Sequence, residues 1–289
     1  MANRGILEQT VQLIRERMVG RLASLAIEEF RVGVFFTGVR LESGHAGVAF
    51  TPIGEIPEAV CCPSSAARMP DAGKLTRKDI DELIAYAMSP NPMKSAIGVA
   101  VLNALSHYLF ENALAGHYDI HYGQDGLDYM EISPLDTVCL VGAFTPYIRR
   151  FKTSGNQFFI IEKTPEALRP AEMKYYRPPT EVPHVLSESD VVIITGAAIV
   201  NHTIDTLLNH TKPGSRVGII GPTASMAPDV YFREGVDVMA GVRITDSELM
   251  LRILGEGGSG YHLSNACAEK VVFVNNDGGK PWKQRISTN

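Results

Sequence analysis

Long apolar runs, clustered cysteines, blocks of like charge and glycine-rich phosphate fingerprints are all missing from this sequence, and each absence removes a class of function. No stretch approaches the roughly 18 consecutive apolar residues of a transmembrane helix. The opening MANRGILEQTVQLIRERMVG interleaves charged and apolar residues without an uninterrupted apolar core, so it is not expected to act as a signal peptide. Of the 4 cysteines, Cys61 and Cys62 are adjacent while Cys139 and Cys267 stand alone among apolar neighbours, which is no disulfide framework. The cytoplasm is the expected compartment. The net charge of -5 and a pI near 5.9, with no run of like charge, leave no basic surface for nucleic acid and no patch for a membrane.

What the sequence does contain is a change of texture near its middle. Residues 1–118 begin with an amphipathic helix through Ile6, Leu7, Val11, Ile14 and Met18. Two β-rich runs follow, Arg31 to Leu41 and Gly47 to Thr51, flanking the hairpin signal Glu42-Ser43-Gly44-His45. A long loop rich in Pro, Gly, Ser and Ala runs from Pro52 to Lys74. Next come a helix capped at Thr76 and ended by Ser89-Pro90-Asn91-Pro92, and a second helix, Lys94 to Phe110, whose small apolar residues suit close packing. Together these make an α+β domain. The polar, glycine-dotted AGHYDIHYGQDGLD marks the boundary, and residues 119–289 form the second domain. There DTVCLVGAF, NQFFIIEKTP, DVVIITGAA, SRVGIIGPT and VDVMAGVRITD are five short apolar runs separated by helical stretches or loops. That is the pattern of a parallel sheet in an α/β fold with right-handed crossovers. Lys270 to Val274 reads as a last strand or part of an interface.

Asp190 to His210 is the stretch around which a site can be built: a strand, a break at Thr195-Gly196, then a helix behind Asn201 and Thr203. In open parallel sheets, ligands bind outside the carboxyl ends of the strands, where loop polar groups and helix N-termini meet. Gly142, Glu162 and Gly221 end neighbouring strands, so the candidate ligand-binding residues are Gly142, Phe144, Thr145, Glu162, Thr195, Gly196, Asn201, Gly221, Pro222 and Thr223. Glu162 follows Gly142 at about the 20-residue spacing of a ribose-binding acid in dinucleotide-binding domains. But Gly142-Ala143-Phe144-Thr145-Pro146 has one glycine where that fingerprint wants three, and Phe144 and Pro146 crowd the place of a pyrophosphate. NAD is therefore not expected. Gly221-Pro222-Thr223-Ala224-Ser225 lacks the lysine of a P-loop, and no Gly-x-Ser-x-Gly elbow occurs.

VGAFTPYIRRF, IIEKTPE, ITGAAIVNHTIDTLL and GPTASMAPDVYFREGVDVMAGVRITD together resemble a prokaryotic family named for a "putative heavy-metal chelation" role. Its pattern is a Gly-x-Phe-Pro-like loop, an acid ending the second strand, a Thr-Gly…Asn-x-Thr loop and a Gly-Pro loop closed by a later proline. Gly142, Phe144, Pro146, Glu162, Thr195, Gly196, Asn201, Thr203, Gly221, Pro222, Thr223 and Pro228 match it; Thr145, standing between Phe144 and Pro146, departs from it. The front half resembles the family's companion domain, which is similar to the N-terminal domain of enolase. It does so through Gly47-Val48-Ala49 and the helix with Ser95 to Ala100 and Asn103-Ala104. The resemblance covers most of the chain. It implies an enolase N-terminal-like α+β domain followed by a Rossmann-like parallel sheet, and a role in metal handling.

Metal ligands are sparse. His45, Cys61 and Cys62 are the candidates; His107, His117, His121 and His262 are scattered, adjacent cysteines cannot easily share one ion, and no CxxC pattern is present. A transition metal held jointly with a small chelating ligand in the interdomain cleft fits better than a protein-only site. A competing reading is an enzyme acting on a small carboxylate-, phosphate- or nucleotide-like substrate, with Glu162 and Asp246 as candidate acid–base residues. A third is a structural subunit whose cleft is vestigial. Capping explains Asn201, Thr203 and Asp246 singly, and the convergence of several loops on one edge is what favours a pocket. Asn201 is assigned to the ligand and Thr203 to the cap. A symmetric homodimer is the default assembly.

Overall fold

The apolar runs become strands because their side chains find neighbours on both faces of one sheet. The computed structural model describes residues 5–55, 71–112, 116 and 118–276. A small antiparallel sheet holds β1 (Ile27–Val32), β2 (Phe36–Leu41) and β3 (Ala46–Phe50), in that order. A larger sheet holds β4 (Asp119–Tyr122), β5 (Val138–Val141), β6 (Phe158–Ile161), β7 (Tyr176–Arg177), β8 (Val191–Thr195), β9 (Arg216–Ile220), β10 (Val238–Ile244) and β11 (Ala268–Val274). Its spatial order is β4-β11-β10-β9-β8-β5-β6-β7. From β10 to β7 every pairing is parallel, and β11 runs antiparallel to both its neighbours. The fold is mixed α/β, and the five apolar runs are β5, β6, β8, β9 and β10.

The chain builds from β5 through β6 to β7, then returns to the other side of β5 and continues through β8, β9 and β10. The order therefore reverses between β5 and β8, which makes this a topological switch point. Around it the sheet is buried on both sides. Cys139, Val141, Val192, Ile194, Val217 and Ile219 face a core shared with the helix Pro92–Glu111. Val138, Leu140, Val191 and Ile193 face the other way, onto Tyr147, Ile148 and Phe151 of the helix Thr145–Ser154. This two-residue alternation turns uninterrupted apolar runs into a sheet filled from both faces, at about 1.5–3 kcal/mol for each fully buried Val or Ile.

The helix Pro92–Glu111 starts where Asn91 accepts the N–H groups of Met93 and Lys94 at 3.0 and 3.1 Å, with Pro92 in the first turn. β3 lies directly on it: a methyl group at Gly47 would sit 2.4 Å from the Ala100 oxygen and the Ala104 nitrogen. The opening helix Ile6–Arg17 reaches the residues of the large-sheet region, with Arg17 gripping both carboxylate oxygens of Asp229 at 2.9 and 2.6 Å. One continuous core thus takes residues from both halves of the chain.

The helix expected behind Thr76 begins at Ile80 with Asp79 at its N-cap, and three strand features also differ from the sequence reading. The run Arg31 to Leu41 is broken by a turn at Gly33–Phe35, giving β1 and β2 where one strand was expected. The polar boundary stretch contains β4, paired to β11, and the connection before Pro178 contains the short β7. Both are edge strands, which need little apolar character. Lys270–Val274 belongs to β11. Among the described residues no helix is long and apolar enough to cross a membrane.

Candidate functional site

Three glycines at the carboxyl ends of β5, β8 and β9 bring their loops into contact. Gly142 has φ +115° and Gly221 has φ +133°, conformations that L side chains rarely adopt. Each donates its N–H sideways along the sheet, Gly142 to Ile161 and Gly221 to Ala240, at 2.9 and 2.8 Å. Gly196 does the same to Ile220 at 2.9 Å. A methyl group at Gly142 would meet the Thr195 Cβ at 3.0 Å, and one at Gly196 would meet the Thr223 Cβ at 3.1 Å. Gly221 is open, its nearest neighbour being the Gly196 nitrogen at 3.7 Å. Gly142 and Gly221 thus leave half-exposed backbone on either side, with Gly196 buried between them.

The side chains expected there divide into two groups. Phe144 precedes the helix Thr145–Ser154 and stacks on Tyr147 at 5.4 Å; Thr145 is exposed, and no side chain caps that helix. Glu162 directly follows Ile161, the register partner of Val141, and is half-buried, with Oε1 accepting the Thr164 N–H at 3.0 Å. Thr195 is half-buried, its hydroxyl 3.4 Å from the Ala197 nitrogen, and Pro222 is half-buried too. Thr223, by contrast, is knitted into the protein: its Oγ1 accepts the Phe50 N–H at 2.9 Å.

Asn201 ends a one-turn helix, Ala197–Val200, and does not open the next one. Its side-chain amide lies within hydrogen-bond reach of the carbonyl oxygens of Ala197 and Ala198, at 3.3 and 3.1 Å, and of the Thr203 hydroxyl at 2.8 Å. Thr203 holds the N-cap position of the helix Ile204–His210 without making a capping bond. Asp246 is exposed and caps the helix Ser247–Gly255 through the Leu249 N–H at 2.9 Å.

Two sets of residues escaped sequence reasoning. On the apolar helix Pro92–Glu111, Ser95 donates to the Val200 carbonyl at 2.7 Å, Asn103 to those of Val48 and Thr223 at 2.7 and 3.0 Å, and Ser106 accepts the Ala227 N–H at 3.0 Å. These polar residues recur on one helix face and hold the segments that follow β8 and β9; their spacing in an otherwise apolar run was the available signal. The second set is Asp125, Tyr147 and Lys270. The Tyr147 hydroxyl donates to Asp125 Oδ1 and the Lys270 ammonium to Oδ2, both at 2.7 Å, and the Leu127 N–H adds a third bond at 3.1 Å. Burial alone would raise the Asp125 carboxyl, but these donors outweigh it and hold it below the usual carboxylate range. Burial and the Asp125 carboxylate push the Tyr147 phenol up, so it stays protonated.

With this geometry in hand, the comparisons are specific. The family model DUF364, described as "Putative heavy-metal chelation", matches residues 125–273, more than half the chain. The chain belongs to this family. A second model of the same description, DUF4213, matches residues 15–106. The uncharacterized protein MJ0500 of Methanocaldococcus jannaschii is 26% identical over 205 residues, covering 68% of this chain and 73% of that protein. A DUF364 protein of unknown function from Pyrococcus horikoshii superposes with a TM-score of 0.72 at 22% identity, covering 94% of this chain and 100% of that one. One from Desulfitobacterium hafniense DCB-2 gives a TM-score of 0.68 at 19% identity, covering 95% and 100%. At such identities the structures show a common fold.

For a family so described, the residues able to ligate a metal matter. His45 lies in the β2–β3 turn with both nitrogens engaged, Nε2 to Glu111 at 2.9 Å and Nδ1 to Ser43 at 3.0 Å. Cys61, Cys62 and His117 lie outside the described residues. Among the described residues no group of three or more His, Cys, Asp or Glu could hold an ion. A cavity of about 430 Å³ lies elsewhere, between the small sheet and the helix Ser247–Gly255, lined by Glu29, Arg31, Arg40, Glu248, Leu251 and Arg252. Its arginines and glutamates largely offset one another. The glycine edge is the better candidate because it combines half-exposed backbone at Gly142 and Gly221 with the switch-point topology.

Proposed function

We propose that the loops after β5, β8 and β9 bind a small polar ligand able to chelate a transition metal, and that the protein serves in heavy-metal handling. The observation that carries this is the half-exposed backbone of Gly142 and Gly221, which flanks buried Gly196 around the switch point beside Phe144, Thr195 and Pro222. Residues 119–289 are read as a Rossmann-like unit, since β7-β6-β5-β8-β9-β10 carries that fold's order reversal, and residues 1–118 as its enolase N-terminal-like companion. The ligand enters between them, with Glu162 at its margin. The family description supports the metal, which the ligand and the protein hold together.

The test is thermal unfolding of the purified protein with nickel, cobalt or zinc, alone and with citrate. A rise in melting temperature that needs metal and chelator together is the expected result. No shift at concentrations far above any useful affinity would end this reading. A second reading, acid–base chemistry on a small anionic substrate, gains from the Asp125–Tyr147–Lys270 cluster at the same edge. It requires turnover that Glu162→Gln abolishes without unfolding the protein.

A further inference from the structure

The loop residues of the proposed site carry no cation. Gly142, Phe144, Thr145, Thr195, Gly196, Gly221, Pro222 and Thr223 are neutral, and Glu162 is an anion. A chelating ligand bears carboxylates or phosphates, and the whole chain has a net charge of -5. Such a ligand needs a local positive charge.

The Asp125 cluster lies against these loops from two sides. Gly126, the next residue, packs so that a methyl group on it would meet the Ala240 Cβ at 2.4 Å and the Ile220 Cδ1 at 3.3 Å. Ala240 is also the residue whose carbonyl accepts the Gly221 N–H, so Gly126 packs over the end of β9 and the middle of β10, next to the pairing that holds Gly221. Tyr147 reaches Asp125 from the other direction while its ring stacks on Phe144. Lys270 completes the cluster. Its ammonium has three N–H donors; Asp125 takes one, and the side chain is 51% exposed. Because the Tyr147 hydroxyl and the Leu127 N–H share the Asp125 charge, Asp125 tethers the lysine with part of its carboxylate already satisfied. Arg243, near the end of β10, is taken up by Glu269 at 2.6 Å and by the Tyr122 ring at 4.4 Å. Lys163 follows Glu162 at the end of β6 and is already engaged within the protein.

We propose that Lys270, positioned by Asp125, is the cation that holds an anionic carboxylate or phosphate group of the ligand at this sheet edge. The proposal rests on the ligand reading above and adds the charge that reading lacks.

Citrate is the probe, titrated calorimetrically into the full-length protein at low ionic strength. Lys270→Met is expected to weaken citrate about tenfold, and Lys270→Arg to stay within about threefold of wild type. Urea midpoints confirm that both variants fold. A second measurement leaves the sequence untouched: acetylation of Lys270 by acetic anhydride, followed by peptide mass spectrometry, should slow when citrate is bound. If citrate binds wild type, while Lys270→Met binds it equally well and acetylation is unprotected, the Lys270 assignment is overturned and the ligand reading stands. If neither citrate nor inorganic phosphate binds wild type, with or without nickel, both readings fall together.

Discussion

Asn103 and Thr223 stand 120 residues apart in the sequence, and the side-chain N–H of the first donates to the carbonyl oxygen of the second at 3.0 Å. The same amide donates to Val48 at 2.7 Å, so one side chain with 0% exposure joins β3, the helix Pro92–Glu111 and the loop that follows β9. Replacing it with Leu keeps the size and leaves two buried carbonyls without their donor. Asn103→Leu should lower the unfolding free energy by about 2–5 kcal/mol, measured by urea denaturation. A loss below about 1 kcal/mol would mean that the carbonyls find other donors.

Which parts of this arrangement could be read from the sequence follows from what each part buries. β5, β6, β8, β9 and β10 were legible because strands with neighbours on both faces become apolar runs, as in Val191-Val192-Ile193-Ile194. Gly142, Gly196 and Gly221 were legible for a related reason, each being a glycine directly after such a run. β4, with Asp119 and His121, and β7, next to Pro178, gave no such signal. Asp125, Tyr147 and Lys270 were out of reach: three residues separated by 22 and 145 positions meet only through the fold. Asn201, assigned to the ligand, stands at the carboxyl end of the helix Ala197–Val200, with its amide beside the carbonyls of that helix.

Glu162→Gln separates a structural carboxylate from a ligand-binding one. The turn bond from the Thr164 N–H needs only an acceptor oxygen, which glutamine retains. Stability should therefore stay within about 0.5 kcal/mol of wild type. The melting-temperature rise produced by nickel with citrate should shrink. An undiminished rise would remove Glu162 from the site.

Asp246→Ala is the matching control. The carboxylate is exposed and accepts the Leu249 N–H at 2.9 Å, a capping bond whose loss typically costs about 1 kcal/mol. Stability should fall by that amount while metal–citrate binding is unchanged. Should binding fall with stability preserved, Asp246 would have to be moved from the cap to the site.

His107 should give the protein a distinct pH dependence. It is 5% exposed, and burial, helped by neighbouring His45 and Arg243, lowers its pKa from 6.5 to about 4 against smaller opposing contacts from the Val242 and Ala46 backbones. Above pH 6.5 the imidazole is neutral in both the folded and the unfolded chain, and its contribution to stability is fully present. Between pH 6.5 and about 4 the unfolded chain binds a proton that the folded one refuses, so stability falls as pH falls. The total loss approaches about 3 kcal/mol. Asp125 acts in a lower window, because its depressed pKa keeps its contribution until the pH drops below the ordinary carboxylate range. Urea midpoints measured from pH 7 to pH 4 should slope downward for wild type and markedly less for His107→Leu. Equal slopes would assign the acid sensitivity to other groups.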